Sequence, residues 1–135
     1  MSVIVTDAGF APDDWTCDVA PLDEAPTDAA AVDVSSDTDP ETLTGRLDGL
    51  ALIRVAFPKS ADGRGFTIAR RLRRLGYSGR LRAAGHVLAD QYAMARRSGF
   101  DEVEIDDDLA LRQPEDQWQA RADWQAHDYQ SRLRG

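Results

Sequence analysis

The stretch from Leu50 to Gly85, LALIRVAFPKSADGRGFTIARRLRRLGYSGRLRAAG, decides the fold. Its first eight residues are almost continuously apolar, as in a strand of a parallel sheet covered on both faces. Arg54 alone interrupts them; an arginine in a strand lies near an edge or an end, or pairs with a carboxylate. Pro58 lacks an N–H and ends the ladder. Asp62 reads as the N-cap of a helix that runs to about Leu75. Ile68, Ala69, Leu72 and Leu75 form its apolar stripe, and Thr67, Arg70, Arg71, Arg73 and Arg74 cover the rest. Gly76 closes the helix. Tyr77-Ser78-Gly79 turns the chain into a second strand, Arg80 to Ala84, where Leu81 and Ala83 alternate with Arg80 and Arg82.

Working outward, Gly85-His86 opens another helix to about Ser98, with Val87, Leu88, Tyr92 and Ala95 buried and Gly99 as its cap. Phe100 to Ile105 is a strand, and Asp106-Asp107-Asp108 an acidic turn. Pro114 starts a final helix with Trp118, Ala122, Gln125 and Tyr129 on one stripe. Trp124 lies off that stripe, placed to contact a partner or the N-terminal segment. Upstream, Val32 to Val34 is a short strand. Asp39-Pro40-Glu41 is a helix start, followed by Leu43, Leu47 and Leu50 on one face and Gly49 as terminator. Residues 1–30 read as a poorly structured lead-in with a short strand at Val3 to Val5, and with Phe10, Trp15 and Val19 available to pack on the main body. Residues 31–135 read as a single domain. Strand then helix, repeated four times, is the signature of an α/β fold with a parallel sheet and right-handed crossovers. Half of a βα-barrel and a flavodoxin-like open sheet both fit. A half-barrel leaves strand edges unprotected, which favours a homodimer.

At 135 residues, with 42% hydrophobic and 30% charged residues, the chain has the make-up of one soluble domain with a real core. No apolar run approaches a membrane span. The start, MSVIVTDAGF, has no basic residue and only three consecutive aliphatic ones, unlike a signal peptide. A cytoplasmic protein without a membrane partner is the expectation. Cys17 is the only cysteine, which excludes an internal disulfide, a CxxC pair and a four-cysteine cluster. Its neighbours Asp13, Asp14 and Asp18 disfavour a thiolate, so it reads as inert. His86 and His127 are too few for a histidine-built metal site. The net charge of −8 is uneven. Residues 1–50 carry twelve acids against one base, residues 51–100 eleven bases against two acids, and residues 101–135 ten acids against four bases. The arginine-rich centre serves either to neutralise the two ends or to bind an anion or an acidic partner. The acidic balance and the lack of any nucleic-acid-binding motif argue against nucleic acid.

In parallel α/β folds, ligands bind at the carboxyl ends of the strands. Here that end carries Pro58 to Gly65 and Gly85-His86. Free N–H groups and the helix dipole favour an anion, and glycines let it approach the backbone. Gly63 and Gly65 in the first turn each cost about 1 kcal/mol of helix propensity relative to alanine, which points to a close approach. Lys59 and Arg64 add charge, and Arg82 reaches in from the neighbouring strand. The candidate anion- or ligand-binding set is therefore Lys59, Asp62, Gly63, Arg64, Gly65, Arg82, Gly85, His86 and Asp90. The same residues also fit a plain strand-to-helix turn, with Asp62 as cap and His86 capping the next helix or at the surface. A dinucleotide fingerprint is not met: GRGFTI has Ile68 where a third glycine belongs, and the P-loop pattern is absent. Three adjacent aspartates cannot all converge on one cation, so no metal is expected at Asp106–Asp108.

The runs LIRVAFPKSADGRGFTIARRLR, YSGRLRAAGHVLADQ and RRSGFDEVEI closely resemble the bacterial family of unknown function DUF934. The resemblance covers Leu50 to Ile105, with looser similarity in the C-terminal WQ…YQ helix. Members are labelled as oxidoreductases of sulfite reduction, and the resemblance implies a gene setting beside sulfite reductase. The family usually has an acidic residue at the position of His86, so no catalytic role is carried over to it. The chain has no cysteine set, no flavin or nicotinamide fingerprint and no haem-attachment motif, so no cofactor is expected. The resemblance thus implies an accessory factor in assimilatory sulfite reduction that binds a small oxyanion or docks to sulfite reductase. The alternative is an enzyme of unknown reaction using Asp62, Arg64, Arg82 and Asp90, an NADPH-dependent oxidoreductase among the options.

Overall fold

The computed structural model describes residues 2–15 and 18–124. Cys17, and the tail positions Gln125, His127 and Tyr129, lie outside the described residues. The chain is an α/β protein built on one open, mixed sheet of seven strands, in the order β2-β1-β7-β6-β5-β4-β3. β3 (Ala20–Pro21), β4 (Ala31–Val34), β5 (Leu52–Phe57), β6 (Arg80–Gly85) and β7 (Glu102–Asp106) are parallel neighbours. β1 (Ser2–Thr6) and β2 (Gly9–Pro12) form a hairpin that adds antiparallel to β7. Between the parallel strands lie a 3₁₀ helix (Pro40–Gly49), α1 (Arg64–Arg74) and α2 (Tyr92–Ser98); α3 (Asp107–Arg112) and α4 (Glu115–Gln119) follow β7.

From β3 to β7 each strand lies beside the next in sequence, without a reversal of order. With right-handed crossovers that order puts every connecting helix on the same side of the sheet. This is the half-barrel arrangement; the flavodoxin order, with its switch point, is not formed. Alternation along the strands agrees. Ile53, Val55, Phe57, Leu81, Ala83, Val103 and Ile105 join one core with Phe66, Ile68, Leu72, Tyr92, Leu109 and Trp118 from the helices. Full burial of such side chains stabilises by about 1.5–3 kcal/mol each. Phe57 is the hub at the carboxyl end, with ring centroids 5.0 Å from Phe66 and 5.8 Å from Phe100.

Several sequence expectations are corrected. β5 is covered by helices on one face only: Arg54 and Ala56 point to the helix-free side. Residues 2–12 are not a loose lead-in but two strands of the main sheet. After Gly85 the chain does not enter a helix; His86 to Leu88 is irregular, and a 3₁₀ turn (Ala89–Gln91) precedes α2. Asp106–Asp108 is not a turn. Asp106 ends β7 and caps α3 through its side chain, and Asp107 and Asp108 fill the first turn, where the helix dipole favours acids. The edges are blunt: β3 has two residues, and both edge strands end in proline. No helix among the described residues is long and apolar enough to cross a membrane.

The helix-free face carries a row of charges. Asp33, Arg54, Arg82 and Glu102 are direct cross-strand neighbours over β4 to β7. Arg54 and Arg82 would repel side by side. Glu104 separates them, accepting from Arg54 Nη1 at 3.1 Å and Arg82 Nη1 at 2.8 Å. Arg54 also pairs with Asp33, and Arg82 with Glu102. Asp13 and Asp14, just beyond β2, reach Arg82 and Arg80.

At the other side Asp7, in the β1–β2 turn, accepts from Tyr92, Arg96 and Trp124 Nε1. Trp124 therefore contacts the N-terminal segment, and Arg96 stacks 4.8 Å from its ring centroid. Burial pushes the Asp7 carboxyl up, but its hydrogen bonds from Tyr92, Arg96 and Trp124 outweigh this and hold it below the usual carboxylate range. A carboxyl lowered in the folded state contributes stability above its unfolded value and loses it as pH falls through the folded value. Asp7→Asn is expected to cost about 1 kcal/mol in urea denaturation at pH 7. The gap to wild type should narrow as pH drops below about 4. An unchanged gap would show that the charge of Asp7 contributes nothing.

Candidate functional site

Three connections meet at the carboxyl end of the parallel strands, and two glutamines stitch them together. Gln91 donates to the Ser60 carbonyl at 2.7 Å and accepts from Leu88 N at 2.9 Å. It thereby fixes the β5–α1 loop to the segment after β6. Gln113 accepts from Ala89 N at 2.7 Å, and its carbonyl accepts from Trp118 Nε1 at 2.8 Å, fixing the end of α3 to the same segment. Gly85 ends β6 with φ +120°, a conformation L side chains rarely adopt, and a Cβ there would sit 2.5 Å from the Phe57 carbonyl oxygen. His86 N donates to that carbonyl at 2.9 Å.

These ties frame a surface cavity of about 340 Å³, walled by Pro58, Leu88 and Leu109 and carrying Lys59, His86 and Arg112. Among the described residues no carboxylate lines it. None of the three basic side chains has a hydrogen-bond or ion-pair partner among the described residues. Most other arginines are taken: Arg54, Arg64, Arg71, Arg73, Arg80, Arg82, Arg96 and Arg121 all hold a carboxylate. The adjoining cavity contains Glu104 and Asp106. Glu104 is occupied by Arg54 and Arg82, and Asp106 accepts from Leu109 N at 2.8 Å.

Of the residues chosen from sequence, Lys59, Gly85 and His86 come together here. Asp62, Gly63, Arg64 and Gly65 form a turn that Asp62 and Arg64 close on each other. The Asp62 carboxylate accepts from Arg64 N at 3.1 Å, Nε at 2.9 Å and Nη2 at 2.7 Å. Those bonds from Arg64 hold the Asp62 carboxyl far below its usual range. Asp62 itself thus takes the place of an anion at this helix start. The close approach at Gly65 is by the chain's own core: a Cβ there would meet the Phe57 ring at 2.4 Å. At Gly63 a Cβ would meet nothing. Arg82 is buried in the charge row of the helix-free face, and its partners are Glu102, Glu104 and Asp13. Asp90 pairs with Arg121 at 2.5 Å. Arg112 was not singled out from sequence. It lies at the end of a short helix behind three aspartates, where no motif marks it, and only the fold brings it beside His86.

The fold places this chain among α/β proteins with an open, mostly parallel sheet and helices on one side. Within that class, the chain belongs to DUF934, bacterial proteins of unknown function, whose family model matches residues 31–135. No curated protein and no solved structure matches it.

Proposed function

We propose that the chain binds a small oxyanion at the carboxyl ends of β5 and β6, and that it does so as an accessory factor of sulfite reduction docked to sulfite reductase. The observation that carries the first part is the cavity of Lys59, His86 and Arg112, with three basic groups and, among the described residues, no lining carboxylate and no ion pair to break, in a chain of net charge −8. An anion there gains charge-assisted hydrogen bonds, each worth about 1.5–3 kcal/mol. The choice of sulfite rests on the family resemblance.

Lys59 is the only lysine, so peptide mapping reads its modification apart from that of the α-amino group. Millimolar sulfite, sulfate or phosphate is expected to slow acetylation of Lys59, and calorimetry should give a matching affinity. Lys59→Met and Arg112→Gln should each weaken binding by about tenfold or more, which is about 1.4 kcal/mol. Arg64→Gln should leave it unchanged, because Asp62 already holds Arg64. Co-purification with sulfite reductase tests the docking part. A chain that binds neither the reductase nor any of the three anions would refute the proposal.

A further inference from the structure

The basic cavity is one end of a longer groove. The adjoining cavity, about 170 Å³, shares His86, Leu109 and Arg112 with it. That cavity in turn shares Gly85 and Glu104 with a third, about 470 Å³, on the helix-free face. The floor of the third is Ala56 and Ala84, side-by-side partners on β5 and β6. Arg54, Glu104 and Asp33 stand along it, and at Pro21, Asp33 and Ser35 it meets a further cavity of about 590 Å³ that carries Thr38, Thr42 and Arg46. A bare oxyanion fills only the basic end, whereas the groove as a whole has the size of a small-molecule site.

We propose that the ligand is a phosphate or sulfate monoester of a small polyhydroxy compound. This inference rests on the oxyanion reading above. The charged group sits at Lys59, His86 and Arg112, and the hydroxylated body passes Gly85 and lies over Ala56 and Ala84. The walls favour hydroxyls. An ionised carboxylate has about four acceptor positions. Asp33 uses two of them on Arg54. A hydroxyl both donates and accepts, so it adds to such a row without breaking an ion pair. A second anion would have to displace Asp33 or Glu104 from the arginine. The alanine methyls accept the C–H face of the body. A nucleobase has no platform: no aromatic side chain among the described residues lines any of the three cavities.

The test is calorimetry on the full chain with inorganic phosphate, inorganic sulfate, glucose 6-phosphate, glucose 6-sulfate and AMP as probes. One of the two sugar esters should bind about tenfold or more tighter than its inorganic anion, and which one does so distinguishes phosphate from sulfate. Ala56→Leu, at an exposed position of the groove floor, should remove that advantage and leave inorganic anion binding within about twofold. Ala84→Leu serves as the second variant, and thermal melting confirms that both are folded. Sugar esters that bind no tighter than the inorganic anions, AMP that binds tighter than either ester, or a leucine without effect would each overturn this inference while leaving the oxyanion site standing. Failure of every anion to bind would remove the oxyanion site itself, and this inference with it.

Discussion

Arg82→Met is expected to lower stability by about 3 kcal/mol in urea denaturation at neutral pH, the cost of leaving two carboxylates of a buried row each one cation short. The Arg82 side chain is 1% exposed and that of Glu102 6%. Their contact is 2.5 Å, and Arg82 also holds Glu104 at 2.8 Å. Methionine keeps most of the volume but leaves Glu102 with only Arg80, and Glu104 with only Arg54. The loss should therefore exceed what the pair itself is worth. Arg82→Met combined with Glu102→Leu should recover part of the stability, since it removes the more buried of the two under-paired carboxylates and leaves Arg80 with Asp14. Asp14→Ala should cost well under 1 kcal/mol, because Asp14 is 67% exposed and its pairs are solvent-screened. The Nη2 group of Arg82 has no hydrogen-bond partner among the described residues and lies 3.8 Å from Asp14. The network is thus anchored at Glu102 and Glu104, with a longer contact to Asp13 at 3.2 Å, and not at Asp14. A loss below about 1 kcal/mol for Arg82→Met would mean that water replaces the guanidinium and that the row is not a buried unit.

This row also shows where the sequence stops being informative. The strands from Leu50 to Phe100 and the helix α1 follow from period and punctuation: apolar runs, the stripe Ile68-Ala69-Leu72, and the glycines Gly76 and Gly99, which the structure puts at φ +101° and +117°; the late start of α2 at Tyr92 does not. The charges of the row are visible in the strings LIRVAF, RLRAAG and EVEID. Their pairing is not, because it depends on register. A shift of one residue would send Arg54 and Arg82 to the helix side. The expectation that Arg82 reaches the DGRG turn failed for this reason: strand alternation sends it to the face opposite the helices. The hairpin β1–β2 is only half legible in sequence, because Val3 to Val5 is a weak signal alone and is held by pairing with Val103 to Ile105, about a hundred residues away. At the cavity, Lys59 and His86 were legible as strand-end residues. Arg112, Gln91 and Gln113 were not, since their roles come from three connections meeting in space.

Gly85→Ala is the substitution that links the fold to the cavity. At φ +120° an alanine bears about 1–2 kcal/mol of backbone strain. Its Cβ would also lie 2.5 Å from the Phe57 carbonyl oxygen and 3.6 Å from the Phe57 nitrogen. Those are backbone atoms of the neighbouring strand and cannot swing away like a side-chain tip. The expected loss of stability is about 2–4 kcal/mol. Relief comes most easily by parting the ends of β5 and β6, which breaks the hydrogen bond from His86 N to Phe57 O and moves His86 away from Lys59. Oxyanion affinity should then fall by about tenfold or more even where the variant is fully folded. Gly63→Ala provides the contrast. Gly63 has φ −83° and open space at its Cβ position, so alanine should be neutral or stabilise by up to about 1 kcal/mol and leave binding intact. The two substitutions separate the two glycine-bearing turns at this end of the sheet. If Gly63→Ala weakens anion binding and Gly85→Ala does not, the anion lies at the DGRG turn after all, and the cavity of Lys59, His86 and Arg112 is not its site.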